Sequence, residues 1–339
     1  MNDEFYMRLA IDEAWKQQGL TYPNPAVGCV VLDYNGQILS INTHKKAGEP
    51  HAEVLAIKEA YLKSGGNKEL SSITDSNEIH NYLYENHNNF LKDATVYVTL
   101  EPCSHHGKTP PCSLLLSKLN IKRVVIAHND LNEKASGGTE FLKQNSIQVT
   151  TGTLNKEASH LLEPFLLWQK NSFVLFKWAQ RLNGSLDGGT ISSKSSRILS
   201  HKMRSVCDLL VIGGNTVRVD RPTLDARLSN AKAPDVFIYS KNKNFDKNIP
   251  LFNIKNREVF IEDNFSKLQN RKFIFIEGSP TLLEQMGKEI NWLMVFISNK
   301  MQSGKSMQIL KENYEIIHQQ KIDSDILIWM RKQKDSTYE

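Results

Sequence analysis

Three side chains stand out for chemistry they could share: His51, Cys103 and Cys112. One imidazole and two thiolates make a borderline-soft donor set that suits zinc, and three protein donors leave a fourth tetrahedral position open for water. Water held in that way ionises near neutral pH and becomes a nucleophile. Glu53 follows His51 by two residues at the start of the same helical stretch, within reach of that water without being a ligand. It is the candidate for moving protons from water to substrate. Cys112 opens the stretch CSLLLSKLN, where a helix dipole favours the thiolate form. Taken singly, the histidine could cap a helix and the cysteines could be inert. A purely structural zinc site would be closed by a further ligand, for which His105 and His106 are the candidates.

The surrounding elements are arranged to deliver these residues. Residues 3–18 read as an amphipathic helix carrying Phe5, Leu9, Ile11 and Trp15. TYPNPAVG breaks it, and AVGCVVLD and QILSINTH follow as strands joined at Tyr34-Asn35-Gly36, a strong hairpin signal. EPHAEVLAIKEAYLK is a helix with His51 and Glu53 at its start. Residues 64–92 are polar, Asn-rich and weakly periodic, and are expected to form a surface insertion with one short helix. The buried strand ATVYVTLEPC delivers Cys103, a Gly/Pro loop leads to Cys112, and KRVVIAHND, TEFLKQNS and IQVTTG continue as strand, helix and strand. Such alternation specifies an α/β sandwich with parallel strands.

Residues 153–172 read as a helical connector. A second α/β pattern then fills 173–339, with strands at FVLFKWAQ, DLLVIGG, DVFIYS, EVFIE, KFIFIEG, WLMVFIS, YEIIHQQKI and DILIWMRK, and helices at 194–207 and 280–289. The 339 residues suit two domains, 1–152 and 173–339, each long enough to bury its own core. Lys plus Arg exceeds Asp plus Glu by 42 − 37 = 5, scattered along the chain. That balance suits an anionic small substrate and is too weak to imply nucleic acid. No apolar run approaches the roughly 18 residues of a membrane span, and the acids in MNDEFYMRLAIDEAW argue against a signal peptide. The four cysteines are expected to be reduced thiols in a cytoplasmic chain, with Cys29 and Cys207 as core residues.

The spacing His-x-Glu followed by Pro-Cys pairs is a known signature of nucleobase deaminases. With TYPNPAVGCVV, AGEPHAE and VTLEPCSHHGKTPPC all present, the chain closely resembles the bifunctional deaminase–reductase family of riboflavin biosynthesis. VCDLLVIGGNTVRVDRPTLDARL and FIFIEGSPTLL extend the resemblance through the C-terminal half. The resemblance implies a cytidine-deaminase-like α/β/α sandwich followed by a dihydrofolate-reductase-like α/β domain. It implies hydrolytic deamination of 2,5-diamino-6-(5-phosphoribosylamino)pyrimidin-4-one at zinc, then NADPH-dependent reduction of the ribosyl group to ribityl. Phosphorylated pyrimidines are the expected partners, without nucleic acid or membrane, and assembly into at least a dimer is expected. By position, Asn24, His44 and Lys108 would lie near the deaminase substrate. Two features depart from the family: a longer separation of Glu53 from Cys103, and Asp130-Leu131-Asn132-Glu133 in place of its Asp-Pro-Asn-Pro turn.

In the second half no G-x-G-x-x-G follows a strand, so a Rossmann fingerprint is absent. Gly213-Gly214 ends one strand, and Ser279-Pro280-Thr281 opens a helix after another, both suited to approach by a phosphate. The resemblance puts the cofactor at Thr216, Asp220, Ser240, Ser279, Pro280, Thr281, Leu282 and Leu283, and substrate at Arg204, Leu224, Arg227 and Glu277. Arg204 and Arg227 are candidate phosphate clamps, since a guanidinium binds phosphate bidentately. Lys241 and Lys243, with no acid beside them, would favour NADPH over NADH. Residues 182–192 are shorter than in the family, with Asn183 as the aligned position. Two competing readings remain at this level: a deaminase with a catalytically inactive reductase-like half, and a deaminase acting on a flipped nucleic-acid base.

Overall fold

The strand–helix alternation folds as two units, residues 1–165 and 166–339, in the computed structural model, which describes residues 2–107, 109–130, 137–265, 268–306 and 312–333. In the first unit, helix α1 (Asp3–Trp15) starts at Asn2, whose side chain accepts the Phe5 amide. Strands β1 (Gly28–Leu32) and β2 (Ile38–Thr43) pair antiparallel, with Gly36 at φ 86° in the connecting turn. Next come α2 (Ala52–Lys63), α3 (Ser76–Asn86), β3 (Thr95–Leu100), α4 (Cys112–Lys118), β4 (Arg123–His128), α5 (Gly138–Gln144) and β5 (Gln148–Thr151). The sheet order is β2-β1-β3-β4-β5, with β3, β4 and β5 parallel.

Every residue of β3 is buried, because helices cover both faces of this central strand. Val96 and Val98 pack into one core with α2, α4 and α5. Tyr97 points to the other face, where its hydroxyl donates to Asp3 of α1 at 2.8 Å. The expected connector forms helix α6 (Asn155–Lys170), which runs through the boundary between the units.

Residues 64–92 differ from the surface insertion expected of them. A 3-10 turn at Lys68–Ser72 and helix α3 carry Leu70, Ile79 and Leu83 into the same core as Ala56, Ile57 and Ala60 of α2. The apolar residues are sparse among Asn, Glu and His, so their period is hard to see in the sequence. Burial is nonetheless complete: none of the three is more than 1% exposed.

The second unit contains β6 (Phe173–Arg181), α7 (Lys194–Val206), β7 (Leu209–Gly213), α8 (Gly214–Asp220), β8 (Val236–Tyr239) and β9 (Val259–Glu262). It continues with β10 (Phe273–Glu277), α9 (Pro280–Met286), β11 (Trp292–Ser298), β12 (Tyr314–Ile322) and β13 (Asp325–Lys332). The order is β12-β13-β11-β6-β10-β7-β8-β9, parallel from β11 to β9 and antiparallel at β13 and β12. Glu277 at the carboxyl end of β10 stands in register with Ile212 near the carboxyl end of β7 and with Lys177 midway along β6, and carboxyl ends are the edge where open α/β sheets bind ligands. Helix α8 was not expected from the sequence, since its short run begins at a glycine, a poor helix former. The altered segment after β6 is held against residues 300–306: Asn183 donates to the Gln302 carbonyl at 2.8 Å, and the Lys305 amide donates to Asp187 at 2.7 Å.

Candidate active sites

Three element ends converge on the first site. His51 is the residue before α2, Cys103 follows β3, and Cys112 is the first residue of α4. Their ligand atoms lie within 4.8 Å of one another. Nδ1 of His51 faces both sulfurs, 3.7 Å from Cys103 and 3.3 Å from Cys112. Its Nε2 lies 3.4 Å from the Thr109 hydroxyl, which can accept that proton and leave Nδ1 as the ligand atom. Thr109 was not singled out in the sequence, although it sits in the quoted loop motif. One nitrogen and two sulfurs converging at this separation fit zinc by donor type and by number.

The electrostatics agree with a donor pair built to share a cation. A bond from the Cys112 thiol, a bond from its backbone amide at 3.4 Å and the neighbouring His51 hold the Cys103 thiol down to about 4 despite its burial. The proton stays on Cys112, pushed up by its bond to Cys103 and by burial. Burial raises the Glu53 carboxyl above its ordinary range, with His51 partly opposing, which makes it a better proton acceptor than an exposed carboxylate. Helix α4 is tied back by Ser113, whose amide and hydroxyl both donate to the Cys103 carbonyl.

Glu53, His51 and Cys103 line a cavity of about 350 Å³ together with Asn24, His44, Glu101 and Thr109. His44 donates from Nδ1 to the Pro50 carbonyl at 3.1 Å and accepts the Asn24 amide on Nε2 at 3.2 Å. Burial holds this imidazole neutral, down to about 4. The structure thus brings Asn24 and His44 into the same cavity as the metal-type donors. Lys108 lies outside the described residues, as do Leu131, Asn132 and Glu133. Glu101 was not anticipated: it accepts the amides of Asp130, Gly137 and Thr139, fastening the loop after β4 to the cavity rim. Gly138 permits this, because a Cβ there would collide with the Pro102 carbonyl.

The second unit gathers its residues at the carboxyl ends of β10 and β7. Arg204 donates to both Glu277 oxygens, at 2.5 and 3.0 Å, and to the Asp225 carbonyl at 3.0 Å. Its fork is therefore engaged by protein groups, and the expectation of a free phosphate clamp at Arg204 is revised. Its visible work is to position Glu277, whose carboxyl is pushed up by burial but held down to about 2 by Arg204 and Lys177. Arg227 pairs with Asp225 at 2.9 Å while remaining exposed, so it can swing to a ligand. Leu224 is buried, and Arg257 pins its segment by donating to the carbonyls of Leu224 and Thr223.

Of the expected cofactor positions, Thr216 and Asp220 lie on α8, and Ser240 immediately follows β8. Gly214 packs against Ser240 so closely that an added Cβ would sit 2.5 Å from its hydroxyl. Arg218 donates to the Asn242 carbonyl at 2.6 Å and lies over the Phe245 ring, stiffening the turn that carries Lys241 and Lys243. Lys243 pairs with Glu262 at 2.8 Å, so the turn has an acid beside it that the local sequence did not reveal. Ser279 precedes α9 with its hydroxyl uncommitted to capping, and Pro280 and Thr281 form the first turn. Leu282 and Leu283 are core residues, available to a ligand only through their backbone.

Comparison with known proteins agrees with this division. Residues 1–128 match the family described as "Cytidine and deoxycytidylate deaminase zinc-binding region", and residues 172–313 match the "RibD C-terminal domain". A riboflavin biosynthesis protein RibD of Aquifex aeolicus is 39% identical over 233 residues, 66% of this chain and 58% of that protein. The chain thus spans somewhat over half the length of that relative. RibD of Mycobacterium tuberculosis is 31% identical over 81% of this chain and 78% of its own length. A solved deaminase/reductase from Thermotoga maritima, described as a diaminohydroxyphosphoribosylaminopyrimidine deaminase and 5-amino-6-(5-phosphoribosylamino)uracil reductase, aligns with TM-score 0.65. It shares 28% identity and covers 98% of this chain and 99% of its own. The first unit is a cytidine-deaminase-like α/β/α sandwich and the second a dihydrofolate-reductase-like α/β fold. Among the described residues no helix is long and apolar enough to cross a membrane. With both family regions in sequence order and this extent of identity to the mycobacterial protein, the chain belongs to the RibD family of riboflavin biosynthesis proteins.

Proposed function

We propose that the chain catalyses two successive steps of riboflavin biosynthesis, a deamination in the first unit and a reduction in the second. The observation that carries the reading is the convergence of His51, Cys103 and Cys112 beside the buried Glu53, at a cavity that His51, Glu53 and Cys103 line. His51 Nδ1 and the two sulfurs would hold zinc, which supplies Lewis-acid activation of water at neutral pH. Glu53 takes the proton from that water and delivers it to the ring nitrogen and then to the leaving amine. The substrate amine leaves as ammonia, and the carbon that bore it keeps the water oxygen. Asn24 and neutral His44 would orient the pyrimidine and its phosphoribosyl group across the cavity mouth.

In the second unit NADPH, when bound, would supply a hydride to C1 of the ribosyl group. The bond from C1 to the ring oxygen breaks as the C1–H bond forms, C1 keeps its bond to nitrogen, and the released oxygen takes a proton to become a ribityl hydroxyl. Thr216, Asp220, Ser240 and the start of α9 would hold the cofactor, with Lys241 and Lys243 favouring its extra phosphate. Glu277, positioned by Arg204 and Lys177, would face the substrate with Leu224 and the mobile fork of Arg227. Reduced ligand thiols support a cytoplasmic location.

The test is to supply 2,5-diamino-6-(5-phosphoribosylamino)pyrimidin-4-one with and without NADPH and identify each product by mass. Without NADPH the amine should be lost as ammonia; with it the product should also gain two hydrogen atoms. Absence of ammonia from protein that holds zinc would sink the first assignment. Accumulation of the deaminated compound in the presence of NADPH would sink the second.

A further inference from the structure

The residues between α2 and β3 do more than complete the core. His80 of α3 is buried, and its Nε2 lies 3.3 Å from the carbonyl oxygen of Pro111, the residue that caps α4 immediately before Cys112. A carbonyl can only accept, so the imidazole carries its hydrogen on Nε2 and donates it there. Nδ1 is then bare of hydrogen and makes no well-formed hydrogen bond among the described residues, with the Asn81 side chain as a polar contact of this imidazole. A bare buried nitrogen costs stability relative to an apolar side chain of similar shape, so packing alone gives no reason for a histidine here. One turn further along α3, Tyr84 stacks on His80 at 6.3 Å and 13° between planes. The ammonium of Lys118, in the last turn of α4, lies 4.9 Å from the centre of that tyrosine ring. Helix α3 therefore grips α4 at both ends, with the hydrogen bond at the end that presents the ligand thiol.

We propose that His80 is a positioning residue for the metal centre: by fixing the Pro111 carbonyl it sets the start of α4, and with it the direction of the Cys112 sulfur. The opposite side of the same turn is fixed by the Cys103 carbonyl, which takes the Ser113 amide and hydroxyl at 3.2 and 3.0 Å. His80 and Cys103 thus hold the first turn of α4 between them. The inference rests on the zinc reading of the first site.

His80→Phe keeps a flat ring of similar size against Tyr84 and removes the donor; His80→Gln keeps a donor at nearly the same reach. Zinc affinity is measured by competition with a chromogenic chelator, and the thiolate-to-cobalt absorption band is recorded on the cobalt-substituted full chain. Loss of an outer-shell partner typically weakens metal binding about 10–100-fold, so His80→Phe should show that loss and a shifted cobalt band. His80→Gln should stay within about threefold of the parent, well inside that range. Parental affinity and band in His80→Phe would overturn the proposal, as would equal losses in both variants. In the unsubstituted protein, long-range nitrogen–proton correlation should find the His80 hydrogen on Nε2, and a hydrogen on Nδ1 alone would overturn the proposal even if neither variant folds. If the parent protein itself binds no zinc, the metal site falls first and the inference with it.

Discussion

Replacing Glu277 by Gln should destabilise the second unit by about 3 kcal/mol at neutral pH. The carboxyl is held at about 2 against an ordinary 4.5, and each tenfold change in proton affinity is about 1.4 kcal/mol, which gives that magnitude. A separate argument gives a similar figure: removing one partner of a buried ion pair typically costs about 3–5 kcal/mol, because the other charge is stranded. Here the stranded groups are Arg204, which donates two hydrogen bonds to Glu277, and Lys177 at 3.6 Å. Because the folded-state value is depressed, this stabilisation is present above pH 4.5 and is lost as pH falls toward 2. Urea unfolding followed by tryptophan emission is a suitable assay, since Trp168, Trp178, Trp292 and Trp329 lie in the second unit and only Trp15 lies in the first. The gap between parent and variant should be widest at neutral pH and should narrow steadily below pH 4.5. A gap under about 1 kcal/mol, the worth of an exposed pair, would refute the reasoning, and so would a gap that does not change with acidification.

Glu53→Gln should retain zinc and lose deamination by about two to four orders of magnitude, the usual worth of a positioned acid–base group, while reduction of the deaminated intermediate continues. Loss of both activities in a folded variant would contradict separate sites. Exchanging residues 66–90 for a Gly/Ser linker removes Leu70, Ile79 and Leu83 from the core, at about 1.5–3 kcal/mol each, so thermal melting of the first unit should drop and zinc should be lost. A linker variant with parental melting and zinc content would return this segment to the role of a surface loop. Lys241→Glu with Lys243→Glu should weaken NADPH binding about tenfold or more, as loss of charge-assisted phosphate contacts implies, and change NADH binding far less. Equal effects on the two cofactors would move the phosphate pocket elsewhere.

The element order was readable because its signals are local. The Asn35-Gly36 hairpin, the β-branched and aromatic run of β3 and the proline before each ligand cysteine follow from backbone and solvent preferences that act within a few residues. His51, Glu53, Cys103 and Cys112 were readable because metal chemistry restricts both residue type and spacing. What escaped was decided by partners distant in sequence. Leu70, Ile79 and Leu83 look solvated until α2 is laid against them. Arg204 reads as a free cation until Glu277, 73 residues later, takes its donors. Lys243 reads as an unpaired cation until β9 brings Glu262 beside it. Nothing near Thr109 or His80 announces what each touches, because both act on the far side of a residue already identified.

The position of β6 at the centre of its sheet has a consequence for how the chain is made. Phe173 pairs with Phe273, which is 273 − 173 = 100 residues later, and the other edge of β6 waits for β11, beginning at Trp292. At a synthesis rate of about 5–20 residues per second, FVLFKWAQ leaves the ribosome roughly 5–20 s before either neighbour exists. For that interval an apolar strand has both edges open, the condition that invites wrong pairing. Arrested nascent chains ending before residue 270 should therefore be held by chaperones or precipitate, and chains extended well beyond β11 should be released. Equal release at both lengths would mean that β6 is sheltered by something upstream of it.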